Sequence, residues 1–222
     1  LFDQERNPMS DAVSQPPYGI FDLGEFDGQK SLMTAGQGAL PLNCDWAWRA
    51  AEFYRAGAIA ETSSPRSGVD IGPSVKLYLG GAGDQIGVFA DRPVTESGPI
   101  GLGLAMTAVA GEFLSLSFAA PETAVKAMTK YTLFQCDLVA TVDDLVTFYL
   151  RLNVKYGASV AKFTQMVETG GGHHCVIFDL GFHAFDVGAF SKIWLDIMIA
   201  NPQKNRIVLN DMTLLRRPRG QF

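Results

Sequence analysis

Few side chains in this sequence stand at the spacings that chemistry requires. The three histidines are His173, His174 and His183. Neighbours on a strand point to opposite faces, so His173 and His174 cannot both enter one metal site without a bulge. No His-X-His followed by a nearby glutamate is present, so no metal site is expected and the histidines read as rim residues. No serine sits in a Gly-X-Ser-X-Gly nucleophile elbow. The aspartates 143, 144, 179, 186, 196 and 211 show no spacing that marks an acid–base pair. Gly101-Leu-Gly103 lacks the third glycine of a dinucleotide fingerprint, because Met106 stands in its place. No catalytic residue is assigned, no cofactor is expected, and the chain reads as a binding protein sooner than an enzyme.

Binding chemistry is better represented. Tyr149, Arg151 and Asn153 share one side of the segment 146–156, and Trp194 and Asp196 share the polar side of 193–199. An aromatic ring beside charged and amide hydrogen-bonding groups is what a sheet needs to hold a carbohydrate. These five residues are the candidate ligand-binding set. An ordinary solvated sheet has the same composition, and Asp196 and Asp211 have simple ion-pair readings with Arg151 or Arg206.

The elements that must position these groups are strands. In 146–156 the even residues (Val146, Phe148, Leu150, Leu152, Val154, Tyr156) are apolar and most odd ones polar, the period of a half-buried strand. The same alternation marks 75–79, 113–118, 131–141, 174–182 and 193–199, with Phe182 read as the last inward residue of its strand. In 206–215 it runs through Ile207 and Leu209 and resumes at Met212 and Leu214, a phase shift that predicts a β-bulge at Asn210-Asp211. Residues 121–130 suit a short helix opened by Pro121, and 157–172 read as a loose helical or irregular cover closed by Gly170-Gly-Gly. The connections are too short for crossover helices. The expected fold is therefore all-β, an antiparallel β-sandwich of the jelly-roll kind with one or two short helices. Residues 1–44, interrupted by Pro8, Pro16, Pro17 and Pro41, read as an irregular arm, with Trp46 and Trp48 packed beneath it. Residues 45–222 read as a single sandwich domain.

A net charge of −5 argues against nucleic acid held on a general basic surface. Cys44, Cys136 and Cys175 are too few and too scattered for a disulfide framework or a zinc site, and read as buried free thiols. No apolar run reaches the roughly 20 residues of a membrane helix. The absence of an initiator methionine suggests a start inside a longer gene product; with no signal peptide visible, cysteine usage favours the cytoplasm. Arg216-Arg-Pro-Arg219 reads as a solvated tail or a contact for an acidic partner. A structural or assembly protein making protein–protein contacts through its arm and tail is the alternative to a binding module.

From Asp45 onward, Asp45-Trp-Ala-Trp-Arg49, Gly111-Glu-Phe-Leu-Ser-Leu116, Leu150-Arg-Leu-Asn153 and Phe178-Asp-Leu180 occur in that order. Trp194-Leu-Asp196, Asn201-Pro202, Leu209-Asn-Asp-Met-Thr-Leu214 and Arg216-Arg-Pro-Arg219 follow. In these pieces the chain resembles an uncharacterised alphaproteobacterial domain-of-unknown-function family. The His-His-Cys before Phe178 and the lack of a basic helical N-terminal segment depart from that pattern. The resemblance transfers no catalytic residue. The closing Trp-Leu-Asp strand, Asn-Pro break and final strand are similar to the end of galactose-binding-type jelly rolls, which implies that fold and a carbohydrate or envelope glycan as ligand.

Overall fold

The computed structural model describes residues 43–81, 84–92, 100–185, 189–200 and 202–219. The arm assigned to 1–44 lies outside them apart from its last two residues. Among the described residues, twelve strands form two antiparallel sheets. They are β1 (Trp46–Arg49), β2 (Val69–Asp70), β3 (Val75–Leu79), β4 (Gln85–Asp91), β5 (Gly101–Ala108) and β6 (Phe113–Ala119). The rest are β7 (Thr132–Val142), β8 (Val146–Tyr156), β9 (Ser159–Thr169), β10 (Gly172–Asp179), β11 (Phe190–Ala200) and β12 (Asn205–Pro218). The front sheet runs β2-β3-β6-β11-β8-β9; the back sheet runs β10-β7-β12-β5-β4, with β1 also beside β12. This is an antiparallel β-sandwich of the jelly-roll kind.

The alternation builds the core directly. Phe148, Leu150 and Leu152 of β8 are completely buried and face Phe134 and Leu138 of β7 and Leu214 of β12 within one apolar cluster. Each such side chain contributes roughly 1.5–3 kcal/mol. The bulge in β12 is where the broken alternation places it: Leu209 pairs with Ala140, the next rung joins Asp211 to Val139, and Asn210 is left to accept from Thr141 Oγ1 at 2.9 Å.

Several expectations need correction. Residues 157–172 are not a loose cover: β8 turns through Gly157-Ala158 into β9, which pairs with it from Tyr156↔Ser159 to Val146↔Thr169 without a register shift. Gly157 has φ +51°, which fits the first position of a two-residue hairpin turn, where glycine carries little strain. The strand begun at His174 stops at Asp179, whose Oδ1 accepts from Gly181 N at 2.8 Å and starts a 3₁₀ turn, Leu180–Phe182. Phe182 therefore points outward, 83% exposed, beneath the Arg219 guanidinium.

The segment after Asp45 is a strand followed by a 3₁₀ turn, Ala51–Phe53. Trp46 packs edge-on to Phe134 and donates to Thr123 Oγ1 at 3.1 Å. The short helix expected over 121–130 is a 3₁₀ turn, Glu122–Val125. Arg216 is no solvated tail residue: it is buried, pairs with Asp45 at 2.8 Å and donates to the carbonyls of Ala124 and Lys126.

Candidate ligand-binding face

On β8, β11 and β6 the residues of opposite parity to the core line up across the outside of the front sheet. One row joins Ser117, Asp196, Arg151 and Thr164; the next joins Ser115, Met198, Tyr149 and Met166; a third joins Trp194, Asn153 and Lys162. All five candidate residues thus lie on one face. Arg151 grips Asp196 through Nε at 3.1 Å and Nη2 at 2.9 Å, both onto Oδ2. Asn153 Nδ2 donates to the same oxygen at 2.9 Å. Asp196 Oδ1 accepts no hydrogen bond from the described residues.

The five do not play one part. Arg151, Trp194 and Asp196 line a shallow depression of about 340 Å³, shared with Tyr78, Phe113 and Met198. Tyr149 stands beside it, directly across from Met198. Asn153 is 1% exposed, and its amide also reaches the carbonyls of Arg151 and Trp194. It is a brace beneath the face, not a surface for contact. Tyr78 and Phe113, both well exposed, were missed as site residues. Their parity carried the signal: Tyr78 alternates against Val75 and Leu77, and Phe113 shares the side of Ser115 and Ser117.

Other concentrations of polar groups offer less. A larger hollow of about 410 Å³ lies at one end of the sandwich, lined by Asp144, Leu145, Pro202 and Asn205 among others. Two of its polar residues hold each other, with Asn205 Nδ2 donating to Asp144 O at 3.0 Å and Asp144 N donating to Asn205 Oδ1 at 3.2 Å. On the outer face of the back sheet, His173 Nε2 stands 3.5 Å from Asp137, whose carboxylate also accepts from Gln135. Cys175, exposed rather than buried as expected, is opposite Asp137. Partial burial, and then the Asp137 carboxylate, push its thiol above the ordinary value. That is the reverse of what an activated nucleophile needs.

His174 meets Thr169 Oγ1 at 2.7 Å on the rim. His183 meets the Tyr156 hydroxyl at 3.2 Å and packs on Phe185. Among the described residues no three His, Cys, Asp or Glu side chains are grouped to hold a metal. Asp196 does pair with Arg151, but Asp211 pairs with Arg49 and Arg206 with Asp91.

Residues 26–222 match the profile of a family described as a family of unknown function, DUF6478. The chain belongs to that family. The match reaches further toward the N-terminus than the motifs that begin at Asp45. A search of curated proteins finds no match. Among solved structures, a cyclase from Fischerella sp. TAU in complex with 4-(1H-indol-3-yl)butan-2-one superposes with a TM-score of 0.50 at 11% identity, over 77% of this chain and 96% of that one. The family 11 carbohydrate-binding module from Clostridium thermocellum, in complex with a β-1,3-1,4-mixed-linked tetrasaccharide, gives a TM-score of 0.45 at 10% identity, over 74% and 100%. The likeness to the cyclase, at 11% identity, speaks to the fold of the DUF6478 chain alone, and its ligand must be argued from its own face.

Proposed function

We propose that the chain is a non-catalytic β-sandwich binding module that takes a carbohydrate on the outer face of its front sheet. The observation that carries this reading is Asp196, held by Arg151 and Asn153 at the floor of a depression walled by Trp194, Tyr78 and Phe113. A sugar ring presents C–H groups on one face and hydroxyls at its edge. The aromatic walls suit the first, and Asp196 Oδ1 with the partly exposed Arg151 guanidinium suits the second. The ion pair sets its own geometry before a ligand arrives, which lowers the ordering cost of binding. Affinity electrophoresis against a panel of soluble polysaccharides tests this. At least one should retard the wild-type chain, and Trp194→Ala should abolish the retardation without altering the unfolding midpoint. No retardation across neutral and acidic polymers would remove the reading.

A further inference from the structure

We propose that the free edge of β9 pairs with β9 of a second copy of this chain, in one defined register centred on Gln165. Among the described residues β9 hydrogen-bonds only to β8 and closes the front sheet on that side. It is eleven residues long, contains neither proline nor bulge, and most of its side chains are exposed, Met166 at 64%. A long regular edge of this kind presents a row of unmet N–H and C=O groups, which is a template for another strand. Proteins that keep such an edge monomeric place prolines, bulges or repeated charges along it, and β9 has only Lys162 and Glu168.

Those two charges select the partner. In an antiparallel pair related by a two-fold axis, residue numbers facing each other have a constant sum, and outward side chains must meet outward ones. Lys162 and Glu168 both lie on the outer face, opposite Asn153 and Thr147 of β8. One register sets Lys162 against Glu168 of the second copy, twice over. That register also sets Phe163 against Val167 and Thr164 against Met166, and brings the two Gln165 amides together at the axis. Sliding by one or two permitted rungs in either direction leaves both charges without a charged partner, and a slide of three brings Lys162 or Glu168 against itself.

The backbone agrees. A two-residue loop makes Tyr156 and Ser159 a hydrogen-bonded pair, so by alternation the even residues of β9 direct their N–H and C=O to the free edge. In this register even residues face even residues, so donors meet acceptors. The joined sheet would set the two front faces side by side, but the pairing does not depend on what those faces bind.

Sedimentation velocity on the full chain, over about 1 to 200 µM, the weak end of protein association, reads the outcome. Wild type should move from the 24.0 kDa monomer toward twice that mass. Lys162→Glu and Glu168→Lys, each alone, should shift half-association upward by at least tenfold, and the double swap K162E/E168K should restore it. Thermal unfolding of dilute monomer checks that the variants fold. A wild type that stays monomeric throughout overturns the proposal. So does a dimer indifferent to both single swaps, or one that the double swap fails to recover.

Discussion

The two sheets each carry an arginine–aspartate pair on their outer faces, and the pairs are set in opposite surroundings. On the back sheet Arg49 Nε lies 2.7 Å from Asp211, with side chains 5% and 7% exposed. Thr213, Val208, Leu215 and Ala47 around them are equally sealed. On the front sheet Arg151 is 31% exposed while Asp196 beneath it is 8% exposed, and the neighbours Tyr78, Phe113 and Met166 stand open to water. The same two residue types thus stand in different settings. A pair closed on every side can only hold the structure together; a pair with one partner open and rings beside it has groups left for a ligand. The difference comes from what covers each face rather than from the pairs themselves.

That contrast is tested first by its largest consequence. Arg49→Ala leaves Asp211 as a buried charge without its ion-pair partner, and should cost about 3–5 kcal/mol in denaturant unfolding. Arg151→Ala leaves Asp196 with Asn153 and some water, and should cost about 1–3 kcal/mol, toward the low end. Equal losses at the two sites would erase the distinction. A third test uses Cys136, which faces the core from the back sheet. Burial holds the Cys136 thiol above its ordinary 9.0. Because the folded value is raised, the stability this thiol contributes is complete below pH 9 and is lost as pH rises beyond it. Relative to Cys136→Ala, wild type should lose about 1.4 kcal/mol per pH unit above that point. Parallel curves for the two proteins would show that Cys136 is not sealed in the core.

Legibility in the sequence followed burial. β7, β8 and β11 have one face against the core and the other toward water, so their residues alternate and their inner faces could be read directly, although β11 begins at Phe190, three residues before the expected 193. The β12 bulge was readable because a one-residue slip in a strong alternation has few other causes. β9 was not readable. It lies at an edge where neither face is fully covered, so Gln165 stands on the inner side while Val160 and Met166 stand on the outer. Periodicity cannot survive that mixing. Phe182 was misplaced because the alternation of β10 continues in letters past Asp179, while the Asp179 carboxylate has already turned the backbone.

The candidate face was half legible for a related reason. Tyr149, Arg151, Trp194 and Asp196 stood out on strongly patterned strands. Tyr78 and Phe113 sit on strands of five and seven residues, and strand parity alone does not reveal that β3 and β6 lie on the same side of β11 as the depression. Asn153 looked like a surface amide because its parity is outward. Only the convergence of Arg151, Trp194 and Asp196 around it makes it a buried brace.

The proposed division sets the ligand surface on the front face and a structural role on the back face. The most direct measurement is affinity electrophoresis of two exposed-residue variants side by side in the polysaccharide that retards the wild type most. Trp194→Ala removes an aromatic wall of the front depression, and Ile177→Ala removes a 43% exposed apolar side chain on the outside of the back sheet. The front variant should lose retardation by tenfold or more while the back variant migrates as wild type. Retention by Trp194→Ala, or loss by Ile177→Ala, would contradict the account.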